Sequence, residues 1–241
     1  MGDARAYAGR DLEAMAFARN YHRWLLDSFA PYLGRRLVEV GAGTGSFSEL
    51  LLERAPASLA LVEPATEMHR LLVTKVAGWQ TTARVETYND LFMNVAARIA
   101  AVERPDSIIY VNVLEHIADD ERELRIVCDT LCPRGRVFIF VPALRWLYGS
   151  FDRLVGHERR YAWGELRAKC ERAGFRVLKA SYFDSAGVLP WWAKYRVLRS
   201  QQMGAGAVRF YDRFVVPPLR RLETLIPPPV GKNILLVAEK A

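Results

Sequence analysis

Four short segments in the first half of the chain that read as strands each stop at residues with an oxygen, a nitrogen or a bare backbone to offer. Leu37-Val38-Glu39-Val40 runs into Gly41-Ala42-Gly43-Thr44-Gly45, and Leu59–Val62 into Glu63-Pro64. Arg84–Thr87 runs into Tyr88-Asn89-Asp90-Leu91, and Ser107–Val111 into Asn112-Val113-Leu114-Glu115-His116. A glycine run lets a ligand lie against the main chain, and a helix opening behind it adds free N–H donors. A carboxylate about 20 residues past such a loop can accept both hydroxyls of a ribose. His116 can take a proton. The glycines read G-x-G-x-G, so the third comes one residue earlier than in the dinucleotide fingerprint G-x-G-x-x-G, and Ser46 stands where that pattern wants Gly or Ala. Glu39, two places before the first glycine, would repel a pyrophosphate but suits a ligand carrying an ammonium group.

These residues must be set by the elements between them. Strands are predicted over 37–40, 59–62, 84–87, 107–111 and 136–141, and helices over 46–54, 66–75, 94–101 and 120–131. Alternating β and α elements imply a doubly wound parallel sheet with helices on both faces and ligands beyond the carboxyl ends of the strands. An amphipathic helix is predicted from Asp11, its N-cap, to Leu33, with Pro31 ending or kinking the main run. A helix over 164–173 and a strand over 175–180 follow the fifth strand, and a last strand covers 233–239. The insertion before that last strand is rich in Trp, Tyr and Phe.

The 241 residues suffice for one α/β domain with a large core, or two small ones. No apolar run approaches the roughly 18–20 residues needed to span a bilayer, and Met1–Arg5 lacks the apolar region of a secretion signal, so the expected location is cytoplasmic. Cys128, Cys132 and Cys170 are odd in number and fit no metal-ligand spacing. The net charge of +7 comes from scattered basic residues, the longest clusters being Arg159-Arg160 and Arg220-Arg221, so no nucleic-acid face is expected.

Val-Glu-Val-Gly-Ala-Gly-Thr-Gly resembles motif I of the class I S-adenosylmethionine (SAM) dependent methyltransferases, and the polar residues at four successive strand ends add to the likeness. The resemblance implies an α/β fold: a doubly wound, seven-stranded Rossmann-like methyltransferase sheet with an N-terminal helical lid (1–35) and a C-terminal aromatic cap insertion, residues 36–241 forming the catalytic domain. It implies SAM as cofactor and S-adenosylhomocysteine as product. Glu39 and the backbone of Gly41, Gly43 and Gly45 would hold the methionine part, Glu63 with Pro64 the ribose, and Asp90 the adenine amino group. Leu91 or Ala65 would lie against the ring, and Asn112 would present its backbone near the sulfonium. A lid helix over the SAM site would make Tyr7, Tyr21 and His22 pocket residues. No metal is expected: Asp119 and Asp120 look like a helix N-cap and first turn, and Cys128 and Cys132 fall inside a predicted helix.

After the fifth strand the pattern V-P-A…L-Y-G…D…G-H-x-R-R-Y, from Val141 to Tyr161, resembles a bacterial subgroup of small-molecule methyltransferases. The acceptor cap is expected within 143–163 and 182–230, with Tyr7, Trp146, His157, Trp191 and Trp192 against the acceptor. Transfer from a sulfonium needs mainly in-line placement, and a base only where the acceptor must lose a proton. His116 is the best-placed base, with Tyr7 beside the reacting atoms and His157 second. With its early Tyr7 and aromatic cap, the whole chain is also similar to azapteridine N-methyltransferases of the toxoflavin type. That implies secondary-metabolite N-methylation on a ring nitrogen of a planar heterocycle. An O-methyltransferase acting on a hydroxylated or lipid-linked metabolite is the alternative. From other classes, a nicotinamide-dependent oxidoreductase and a non-catalytic SAM- or RNA-binding module stay open. The expected partner is a small aromatic acceptor, with no nucleic acid and no stable membrane insertion, for a monomer or homodimer.

Overall fold

A computed structural model describes residues 18–202 and 204–241. Tyr7, Asp11 and the first part of the expected lid lie outside the described residues. The first described helix, α1 (Arg19–Phe29), turns Tyr21, Trp24, Leu25 and Phe29 inward at helical spacing. Pro31 ends it, as its missing N–H and fixed φ require, and a 3-10 turn follows over Ala30–Tyr32.

The chain then alternates: β1 (Arg36–Val40), α2 (Ser46–Leu52), β2 (Ser58–Val62), α3 (Thr66–Val76), β3 (Arg84–Tyr88), α4 (Phe92–Val102), β4 (Ser107–Val111), α5 (Asp120–Thr130) and β5 (Arg136–Pro142). After it come α6 (Ser150–Leu154), α7 (Trp163–Arg172) and β6 (Phe175–Phe183). Then come α8 (Val188–Trp191), α9 (Ala205–Phe210), α10 (Val216–Leu225) and the final β7 (Asn233–Lys240). The strands make one mixed sheet in the order β3-β2-β1-β4-β5-β7-β6, with β7 antiparallel to both its neighbours. This is the expected Rossmann-like α/β fold.

Strand residues alternate between two apolar layers, as a period of two demands when both faces are covered. Val38, Val40, Ile108 and Tyr110 enter one layer, while Leu37, Leu59, Phe138 and Phe140 enter the other. Helix α1 packs into the second layer: Trp24 stacks on Phe183 at 3.8 Å, and Phe29 meets Phe138 edge-on at 5.2 Å. It is a core helix along most of its length, and only its N-terminal end reaches toward the sheet's ligand side.

Several local expectations shift. Asp119 does cap α5, accepting the Arg122 N–H at 3.0 Å, but that helix stops at Thr130, so Cys132 lies in the turn beyond it. Helix α4 starts at Phe92 rather than 94, and β6 runs on to Phe183 through a bulge between Val177 and Lys179. The insertion is helical. Helix α8 continues as a wide π-turn over Trp192–Val197, and α9 leads through a second over Tyr211–Val215 into α10. Pro217 and Pro218 follow that second wide turn and have no N–H to extend the α ladder.

Candidate functional site

Strand β1 delivers the chain to a loop in which Gly41, Gly43 and Gly45 have φ of +72°, +55° and +78°, the left-handed region that side chains resist. Space forbids a side chain as well. A Cβ on Gly41 would lie 2.3 Å from a Val113 methyl, so the end of β4 closes directly on the loop. The Gly41 and Ala42 N–H groups donate to the Val62 carbonyl at 2.8 and 3.1 Å. The Gly43 N–H donates to Glu63 Oε2 at 2.8 Å, and the Ala65 N–H to Oε1 at 2.8 Å. Loop and Glu63 carboxylate are therefore held as one piece. Burial raises the Glu63 pKa, and these two N–H groups oppose the rise.

Glu39 sits beneath the loop, 3% exposed, and accepts the Ser48 hydroxyl at 2.5 Å. Burial pushes its pKa up to about 8 against that hydrogen bond, and the nearby Glu63 adds to the rise. A buried carboxyl that costs so much to ionise is one that a bound cation would relieve. Asp90 is exposed at the head of α4, where it accepts the Leu91 N–H at 2.8 Å and Asn94 Nδ2 at 2.7 Å. Leu91 is exposed beside it, and Pro64 is half-buried behind Glu63. Asn112 leaves β4 at φ +53° and donates its N–H to the Phe140 carbonyl at 2.8 Å. These positions put the loop, Glu63, Asp90 and Asn112 at successive carboxyl ends of β1 to β4. The cradle of bare glycine backbone and fixed carboxylates fits an adenosyl ligand with an ammonium group.

Beyond Asn112 lies a second cluster. Asp152 is fully buried and accepts three donors at 2.8 Å: the Gly149 N–H, His157 Nδ1 and Arg160 Nε. Burial opposes its charge, but the His157 bond and the Arg160 charge outweigh burial and lower its pKa. With Nδ1 donating to Asp152, the other ring nitrogen of His157 stands 3.7 Å from Glu115 Oε1. Both Glu115 oxygens are buried without a hydrogen-bond partner among the described residues. Burial pushes its pKa up to about 7 against the pull of His157. His116 packs edge-on against His157, ring centroids 4.7 Å apart, and its Nδ1 lies 3.2 Å from the Gly156 carbonyl. One side-chain atom each of Glu115, His116 and His157 thus comes within 4.8 Å of the others.

A cavity of about 230 Å³ opens between these sheet ends and the helical insertion. Asn112, Phe140, Phe151, His157 and Arg160 line it from the sheet ends and the segment after β5, Tyr21 from α1, and Trp191, Lys194, Tyr195 and Tyr211 from the insertion. Trp191 meets Phe151 edge-on at 5.5 Å and Tyr195 at 4.5 Å, and the Arg160 guanidinium lies 4.8 Å from its ring centroid. Its indole N–H is buried with no acceptor among the described residues.

Of the residues expected around the acceptor, His157 and Trp191 are on this wall. Trp146 and Trp192 are not: they are 53% and 42% exposed. His116 stands behind His157 rather than on the wall. His22 packs edge-on against Phe47 at 5.9 Å, and burial lowers its imidazole to about 4. Sequence reasoning missed Asp152 as the anchor of His157, although it lies five residues upstream within the same motif. It read Phe140 as strand core and Tyr211 as generic cap.

Residues 9–182 match the family model described as a methyltransferase domain. No curated protein sequence matches the chain. Among solved structures, a SAM dependent methyltransferase from Archaeoglobus fulgidus superposes with a TM-score of 0.63 at 18% identity, covering 95% of this chain and 99% of that one. An S-adenosylmethionine dependent methyltransferase from Mesorhizobium loti gives 0.57 at 13%, covering 90% and 97%. The [4+2]-cyclase SpnF gives 0.59 at 17%, covering 92% and 81%. At such identities the likeness is one of fold.

Proposed function

The chain belongs to the methyltransferase-domain family and is an enzyme that uses S-adenosylmethionine, and on that premise we propose that it methylates a small molecule with a flat ring, held in the aromatic cavity beneath the cap. The single observation carrying this reading is that Asn112, at the end of β4 beside the glycine loop, also lines that cavity, together with Trp191 and Tyr211. Flat rings bury large areas against aromatic walls, and the unpaired Trp191 indole would find its acceptor in a ring nitrogen or carbonyl of the ligand.

In this reading 143–163 with 182–230 hold the acceptor, residues 1–18 serve as the lid, and α1, a core helix for most of its length, reaches the cavity through Tyr21. Glu39 and the loop backbone take the methionine end of the cofactor, Glu63 the ribose and Asp90 the adenine. The bound cofactor supplies an electrophilic methyl group. The protein's share is to aim the acceptor and keep water out. The acceptor of first choice is a ring nitrogen of a toxoflavin-type azapteridine, whose lone pair takes the methyl group while the ring proton leaves to water, and S-adenosylhomocysteine is the other product.

A second reading rests on the Asp152–His157 pair. A carboxylate that holds Nδ1 leaves Nε2 able to accept a proton from a hydroxyl, which suits O-methylation of a hydroxylated or lipid-linked acceptor. Mass spectrometry of reactions with SAM and a panel of azapteridines, other N-heterocycles, phenols and lipid-linked sugars separates the two. Methylation of heterocycles alone supports the first reading. Methylation of hydroxyl acceptors alone overturns it in favour of the second.

A further inference from the structure

The helices roofing the cavity have a second face. Trp191, Tyr195, Val208 and Tyr211 turn inward to the cavity, while Leu189, Leu198, Phe210, Phe214, Leu225 and Ile226 turn outward and are 58–80% exposed. Outside this segment no described large hydrophobic residue is more than 54% exposed, and those that approach it (Leu71, Val102, Trp146) stand on separate elements. Scattered apolar residues need no explanation, but six of them on the two helical stretches that wall one cavity mark a surface that is covered in use.

Charge says by what. Between Gly187 and Ile226 the chain has seven Lys and Arg and only two acidic residues, Asp212 and Glu223. Both acids point inward and are engaged. Asp212 accepts the Asn20 and Tyr21 N–H groups at 3.1 and 2.8 Å, and Glu223 accepts the Asp184 N–H at 3.0 Å and the Ser185 N–H and hydroxyl at 2.7 Å each. Arg196, Arg199, Arg213 and Arg221 remain exposed among the outward Leu and Phe side chains. Arginine stems bury along apolar surface while their heads seek anions, the pattern of an interfacial helix lying on an acidic leaflet. Among the described residues no helix is long and apolar enough to cross a membrane, so the fit is to a surface.

We propose that the outer face of the cap, residues 188–198 and 210–226, docks on an anionic lipid bilayer, with the acceptor cavity directly beneath it. The inference goes beyond the acceptor reading and is tested without any acceptor.

The test is co-sedimentation of the full chain with vesicles of phosphatidylcholine, with and without phosphatidylglycerol, over a range of salt. The expected result is binding at least about tenfold tighter to the phosphatidylglycerol vesicles, and lost at high salt. Phe210→Ser with Phe214→Ser, and separately Arg213→Glu with Arg221→Glu, should each abolish it. S-adenosylhomocysteine affinity and thermal midpoint in both double variants report that the fold survives. No binding by the parent chain overturns the proposal, as does equal binding to both vesicle types. A dimer in solution that the Phe210/Phe214 variant dissociates also overturns it, because the face would then belong to a second copy.

Discussion

Asp152 and His157 share a 2.8 Å hydrogen bond in a spot where Asp152 is wholly buried, so the carboxylate decides which way the imidazole faces. The ring nitrogen left over stands 3.7 Å from Glu115 Oε1. Replacing Asp152 with Asn keeps the shape but offers His157 an amide in place of a carboxylate. For a hydroxyl acceptor, this variant should lose about 100-fold in kcat with little change in KM, and its pH profile should shift. A ring-nitrogen acceptor should be nearly indifferent. Steady-state rates from pH 6 to 9 decide it, and an unchanged profile on a hydroxyl acceptor removes His157 from the chemistry.

Glu115 predicts a pH dependence of stability. In the fold it keeps its proton to about pH 7, whereas the unfolded chain releases it near 4.5. Between those values the native state binds more protons, so stability falls as pH rises through that window and levels off above it. Glu115→Gln cannot ionise and should lack this part of the slope. Its gain over the parent should grow from pH 5 to pH 8 and reach, at most, about 3 kcal/mol. Urea unfolding at the two pH values measures this, and a constant difference would show that the burial cost has been misassigned.

Glu39 makes a prediction of the same kind about binding. Burial pushes its pKa up to about 8, so it must give up a proton to pair with an ammonium group. S-adenosylhomocysteine binding should therefore release a proton near neutrality and tighten as pH rises from 6 to 8. Calorimetry in buffers of different ionisation heat reads the proton directly. Glu39→Gln should abolish the release and Glu63→Ala should weaken binding by about tenfold or more, a loss of roughly 1.4 kcal/mol. Normal affinity in both variants would dissolve the pocket assignment.

The tryptophans give a contrast. Trp191→Ala should leave S-adenosylhomocysteine affinity intact and raise the acceptor KM by about tenfold or more, because it removes a cavity wall. Trp146→Ala and Trp192→Ala, changes at exposed rings, should alter neither value. An acceptor effect as large at Trp146 as at Trp191 would move the binding site away from the cavity.

That contrast also marks how far sequence reasoning reaches. The glycine loop, Glu63 and Asp90 were legible because each is a local event, a residue type standing where a strand stops. Trp146 and Trp191 are the same residue type in equally aromatic surroundings, and only the path of the insertion sends one outward and the other inward. The Asp212 contact with the first turn of α1 spans 191 residues of chain and leaves no local trace. It caps a helix whose own N-cap, Ala18, has no side-chain oxygen. Phe140 was legible as core and became a cavity residue only because β5 ends beside the insertion.

The two ends of that insertion have a consequence of their own. Phe183, the last residue of β6, and Asn233, the first of β7, are register partners in the sheet. Everything from 184 to 232 therefore leaves and returns through one rung of an antiparallel ladder, as a loop does from a hairpin, and lengthening such a loop costs little closure entropy. The segment is a cassette. Another cap could be spliced between the same two residues, provided that it also supplies an acid to cap α1, as Asp212 does, and the apolar contacts that Val216 and Leu219 make with the core.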